Sequence, residues 1–203
     1  MLDHYRLLFD RAADFLLVLD GSINSRLLVQ ERYDTLRSTY AQNVRGFDTY
    51  VKENQPDKNS PLFEPIDMIL NLELLGESGE YITWSEAFET GYLTYGNANP
   101  DSPDFNSLAD FICNGDDIEV KLPWQLLNFA DPSNMEIHDD YYDGNYGVAY
   151  QNIDTMYVGV GTTDTKGRIR LSPFALKGWG NDVTSHERLK RSYYILKDLW
   201  TTP

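Results

Sequence analysis

Three kinds of side chain in this chain of 203 residues could do chemistry: flat aromatic rings, clustered carboxylates and scattered histidines. There are 14 Tyr and 4 Trp. A pyranose offers C–H surfaces that stack on aromatic faces and hydroxyls that pair with carboxylates and amides. Trp84, in Tyr81-Ile-Thr-Trp-Ser-Glu86, and Trp179, in Lys177-Gly-Trp-Gly180, fall in expected loops. Gly178 and Gly180 leave the Trp179 ring unshielded by neighbours, which makes it the first candidate for a stacking platform. Tyr141 and Tyr142 stand beside it as ligand-binding candidates. Trp124 and Trp200 lie in apolar runs and read as core.

Asp139, Asp140 and Asp143 supply the oxygen donors that a hard cation such as calcium takes. The run Asp139-x-Tyr-x-Asp143-Gly144 resembles the start of an EF-hand loop, but Tyr141 replaces the middle ligand and Tyr150 stands where the bidentate Glu belongs. The competing reading is an ordinary solvated acidic loop. Carboxylate pairs for acid–base work abound, among them Glu86 with Glu89 and Asp116 with Asp117, and that abundance removes their specificity. His4, His138 and His186 lack zinc-ligand spacing. Neither a Gly-x-Ser-x-Gly elbow nor a phosphate-binding glycine loop is present. No catalytic residue is assigned.

The formal charge is −15, with a sequence pI near 4.4. Such a field repels polyanions, which argues against nucleic acid or an anionic membrane as partner. No apolar run reaches the roughly 18–20 residues of a membrane span. Met1 to Asp10 carries an acid and a base too early for a signal peptide. Two settings follow: a cytoplasmic protein, or a piece of a longer exported chain. Cys113 is the only cysteine, so it forms no intrachain disulfide; it reads as a small core residue.

The elements that must position these residues are mostly short strands. In Asp116 to Pro132, Ile118, Val120 and Leu122 alternate with Glu119 and Lys121, the period of a strand with one buried face. Pro123 ends that strand, and Trp124, Leu126, Leu127 and Phe129 form an apolar turn closed by Asp131-Pro132. Asn114-Gly115 ahead of it signals a hairpin. Asp14 to Asp20 and Arg26 to Tyr33 read as a first hairpin. Residues 40–65 form a long polar loop. Pro65 to Leu75 reads as a strand with a helix as competitor, and Tyr92 to Tyr95 is a short strand. Thr155–Val160 and Gly167–Leu171 are two later strands. Thr184-Ser-His-Glu187 has capping-box spacing, so a helix is expected over 184–200, its Leu189, Tyr193, Leu196 and Trp200 stripe docked on the sheet.

Ile118-Glu-Val-Lys-Leu-Pro-Trp-Gln-Leu-Leu127 resembles the hydrophobic-Glu-hydrophobic-x-Ile-Pro-Trp-x-x-Leu signature of carbohydrate-binding module family nine and related DOMON-like sandwiches. Ile153 to Val160 is similar to the strand that follows in those modules, and Asp14 to Gly21 to an earlier one. The likeness covers about a third of the chain. It implies a non-catalytic module of an exported multi-domain protein, with sugar held between two tryptophans and calcium nearby.

The expected fold is a mainly antiparallel β-sandwich, of jelly-roll or immunoglobulin-like kind, with long loops and a C-terminal helix. Residues 1–203 form one domain, as a piece excised from a larger protein would. The expected function is binding of a polysaccharide or oligosaccharide outside the cell or at its surface. Two alternatives stand beside it: a structural module packed on a neighbouring domain, and a glycoside-acting enzyme using paired carboxylates.

Overall fold

A computed structural model describes residues 7–33, 57–69, 74–82, 87–140, 149–162, 165–180 and 191–201. The core is set by Leu27-Leu28-Val29, a continuous apolar run too short for a helix and suited to a strand buried on both faces. It lies in β2 (Arg26–Gln30), and all five residues of that strand are buried. β1 (Phe15–Val18) pairs antiparallel along one edge, with Phe15 opposite Val29 and Val18 opposite Arg26. The connection is a short helical turn, α1 (Gly21–Asn24), entered through Gly21 at φ 67. Ser25 Oγ ties it down by donating to the Gly21 carbonyl at 2.6 Å and accepting from the Asp20 N–H at 2.9 Å.

The other edge of β2 is shared. β3 (Phe63–Pro65) pairs with Leu28 to Gln30. Below it the 91–93 segment takes over: the Leu27 N–H donates to the Gly91 carbonyl and the Leu93 N–H to that of Ser25. Gly91 is required there, because a Cβ would sit 2.3 Å from the Leu27 carbonyl oxygen. Gln30, wholly buried, donates its side-chain amide to the Ala13 and Lys58 carbonyls at 3.1 and 3.2 Å. β2 stops where Glu31–Tyr33 tightens into a 3-10 turn, so the strand expected to run to Tyr33 is three residues shorter.

The rest is a set of small antiparallel units. β4 (Asp67–Ile69) pairs with β7 (Ala87–Glu89), and β5 (Leu74–Leu75) with β6 (Tyr81–Ile82). β8 (Phe111–Asn114) pairs with β9 (Asp117–Val120) through a tight Gly115-Asp116 turn, with Gly115 at φ 62 as its first central residue; the hairpin is where Asn114-Gly115 signals it, but Asn114 closes the strand pair instead of sitting in the turn. β10 (Phe129–Asp131), β11 (Glu136–His138) and β12 (Tyr150–Asn152) make a second three-stranded sheet. β13 (Thr155–Val158) pairs with β14 (Ser172–Ala175), and α2 (Arg191–Thr201) ends the described chain. The protein is mainly β, with several antiparallel sheets and a C-terminal helix, and the described residues form no closed barrel.

Four expectations are corrected. All four residues of β9 are exposed, Ile118 at 56%; burial on that hairpin falls to Phe111, whose ring meets Tyr95 edge-on at 5.3 Å. Cys113 is exposed rather than core. The strand expected at Gly167–Leu171 is displaced to Ser172–Ala175, because Ile169 instead exchanges backbone bonds with Leu8 and Asp10 near the N-terminus. The stripe of α2 is exposed from Tyr193 to Trp200, and Trp200 is 79% exposed instead of buried.

Phe63 is 2% exposed and meets Phe9 edge-on at 5.8 Å. Phe63→Ala is expected to destabilise the fold by about 3–5 kcal/mol, read as a lowered urea midpoint with an unchanged slope.

Candidate functional site

Pro123 is extended, at φ −60 and ψ 134, and feeds a 3-10 turn over Trp124–Leu127 that closes on Asn128 in the left-handed region. The turn swings the Trp124 indole edge-on to buried Phe129, with centroids 4.7 Å apart. Trp179 packs near the same indole, with centroids 6.2 Å apart and planes at 46°. Both indoles are half-buried, so the pair is anchored inward and open outward. The two rings touch; they do not stand apart as a clamp.

The loop carrying Trp179 is held by its glycines. A Cβ on Gly178 would meet the Ser133 carbonyl oxygen at 2.4 Å, and the Gly180 N–H donates to that same oxygen at 2.9 Å, with Gly180 at φ 52. The glycines therefore serve close backbone approach more than exposure of the ring. The turn they touch is organised by Asp131, whose carboxylate accepts from the Ser133 N–H and Oγ–H and from Asn134 Nδ2. Those hydrogen bonds, from the Ser133 and Asn134 side chains first, hold its carboxyl below the usual range. An aromatic face and a rigid set of hydroxyl, amide and carboxylate groups thus share one turn.

Asp139 and Asp140 lie at the opposite end of β11. The Asp139 N–H donates to the Ala149 carbonyl at 3.0 Å and the residue is buried. Asp140 Oδ2 accepts from Arg32 Nε at 2.9 Å, and Arg32 is only 2% exposed. The Asp140 carboxylate thus has a guanidinium as its counter-charge, and Asp143, the third expected calcium ligand, lies outside the described residues. Among the described residues no group of three or more His, Cys, Asp and Glu could hold a metal ion. Trp84, Tyr141, Tyr142 and Asp143 lie outside the described residues. Of the candidates that are described, Trp179 is therefore separated from Asp139 and Asp140 by the length of β11.

Around the Arg32–Asp140 pair, titration is displaced. Tyr33 is pushed up to about 12 by burial first and then by the Asp14 and Asp140 carboxylates, with Arg32 opposing. Asp14 is raised because the surrounding protein strips water from its carboxyl and Asp140 repels its charge, Arg11 opposing, although the residue as a whole keeps solvent contact.

A second ion pair escaped the sequence altogether. Arg26 Nη1 lies 3.3 Å from Glu89 Oε1, and Nη2 donates to the Tyr92 hydroxyl at 2.8 Å. Loss of water raises the Glu89 carboxyl, Arg26 lowers it, and Asp67, opposite Glu89 across the β4–β7 pair, raises it again. Glu89 is thus committed to a structural contact. The long sequence separation between Arg26 and Glu89 leaves no local pattern to find.

Comparison with protein-family models, curated proteins and solved structures finds no match for this chain.

Arg32→Met strands the Asp140 carboxylate and is expected to cost about 3–5 kcal/mol, measured by urea unfolding. Tyr33 gives a pH signature. Its folded pKa is raised from 10.0 to about 12, so its contribution is complete below the unfolded value and lost as pH climbs through the folded one. Stability should fall across that alkaline window, and Tyr33→Phe should flatten the fall.

Proposed function

We propose that the chain is a non-catalytic binding module for a saccharide, taken at the Trp179 corner by a sandwich-type β scaffold. The observation that carries this reading is the Trp124–Trp179 pair, fixed from behind by Phe129 and open to solvent in front. Stacking a pyranose on a ring that is already immobilised avoids the ordering cost that a free side chain would incur. The Ser133–Asn134 turn beside it offers hydroxyl and amide groups to the sugar hydroxyls. The Ile118–Leu127 likeness to family-nine modules supports the same class of ligand, and with it an extracellular or cell-surface setting in a longer protein. Neutral glycans also suit a chain of charge −15, since they incur no repulsion.

A second reading is favoured by one specific observation. Ile195, Leu196, Leu199 and Trp200 are exposed together on α2, a contiguous apolar face of the kind that marks a contact surface. On this reading the module packs on a neighbouring domain through its last helix.

Retention on immobilised neutral polysaccharides separates the two. Trp179→Ala is expected to abolish retention, and Trp179→Phe, which keeps a ring against Trp124, to preserve part of it. Both variants should melt within a few degrees of the parent. Full retention by Trp179→Ala would sink the saccharide site. A cooperatively melting parent that no glycan retains would leave the helix reading in its place.

A further inference from the structure

A different part of the molecule carries a site that the saccharide reading does not use. β8 is flanked on one edge by β9 and on the other by the 94–97 segment, where Tyr95 bridges Phe111 in parallel and the Gly96 N–H donates to the Phe111 carbonyl at 2.9 Å. The three together form a small twisted patch. Phe111 and Val120 are register partners and so share one face; Ile112 and Glu119 share the other. The Lys121 N–H donates to the Asp110 carbonyl at 2.7 Å, which continues the register and brings Asp110 and Lys121 to the face of Ile112 and Glu119.

A hollow of about 230 Å³ runs across this patch. Its lining draws on both faces of the β8–β9 pair, with Ala98, Ile112, Phe111 and Val120 apolar and Asp110, Glu119 and Lys121 charged. Cross-strand and same-face neighbours normally lie within about 5–8 Å, so Lys121 stands next to two carboxylates. Yet neither Glu119 nor Lys121 makes an ion pair or a side-chain hydrogen bond among the described residues, and Asp110 uses one oxygen, Oδ2, to accept from the Thr94 N–H at 2.8 Å. Opposite charges lie side by side on this patch and are open to a third party.

We infer that this hollow binds a small zwitterion, a free α-amino acid with an aliphatic side chain. The ligand carboxylate pairs with the Lys121 ammonium, and the ligand ammonium pairs with Glu119 and the open oxygen of Asp110. The aliphatic side chain covers Ile112 and Ala98. Two charge-assisted pairs of opposite polarity fix the orientation.

The test is a titration of the full ¹⁵N-labelled chain with L-valine, followed by amide shifts. Saturable shifts are expected at Gly96, Ala98, Asn99, Ile112 and Lys121. L-Valine methyl ester lacks the carboxylate and N-acetyl-L-valine the ammonium, and each should bind at least about tenfold more weakly, a difference of about 1.4 kcal/mol. Lys121→Met, on an exposed side chain, should weaken L-valine by a similar factor and leave the methyl ester unchanged, at an unaltered melting temperature. Absence of saturable shifts, or equal binding of all three compounds, would overturn the proposal. So would saturation of the same amides by D-glucose in place of L-valine. Because the readout is confined to these amides, failure here leaves the Trp179 corner untouched, and the reverse holds as well.

Discussion

A strand that is dry on both faces cannot leave any backbone group unpaired, and β2 is such a strand. Its Leu27-Leu28-Val29 centre excludes water, so β1 must occupy one edge along its full length. The other edge must be filled by two separate pieces of chain, β3 and the 91–93 segment. Gly91 follows from that demand, because only a residue without a side chain allows the backbone to approach Leu27. Gln30 extends the same logic by side chain, joining the 13 and 58 regions through one buried amide. The hydrophobic effect gathers these segments, and the need to satisfy β2 fixes where each one lies.

The charge distribution answers a second constraint. The chain is strongly acidic, and its buried cations each lie against a carboxylate: Arg32 with Asp140, Arg26 with Glu89. These pairs join β2 and its 3-10 extension to the 87–89 and 138–140 regions, which are distant in sequence. Burying a guanidinium without its partner would be costly, so each pair works as a register pin between segments far apart in sequence. The same pins consume carboxylates that sequence composition offers for catalysis or metal binding. Asp140 and Glu89 are examples.

Away from β2 the molecule carries much apolar surface in contact with water. Ile118 and Val120 on the β8–β9 hairpin, Tyr157, Val158 and Phe174 on the β13–β14 pair, and the stripe of α2 are all exposed. Small two-stranded units bury one side poorly on their own. The tryptophan corner differs, because Phe129 and Trp124 give Trp179 a fixed backing and the Ser133 carbonyl fixes its loop. Rigid support is what turns a partly exposed ring into a recognition surface.

The sequence by itself determined the local elements whose causes are local. The apolar run of Leu27-Leu28-Val29 specified a buried strand, Asn114-Gly115 a tight hairpin, and the spacing of Tyr193, Leu196 and Trp200 a helix. Each rests on a period or a backbone restriction that neighbouring residues impose. What period cannot tell is whether an apolar face finds a cover. Ile118, Cys113 and Trp200 read as core, and tertiary structure left them exposed. Trp179 was legible as a loop aromatic, but its backing by Trp124 was not, since 55 positions separate them in the chain. Nor were the partners of Arg26 and Arg32, or the open charges around Ile112, visible before strand register was known. Tertiary structure alone decided these, because ion pairs and hollows depend on which distant segments close the edges of a sheet.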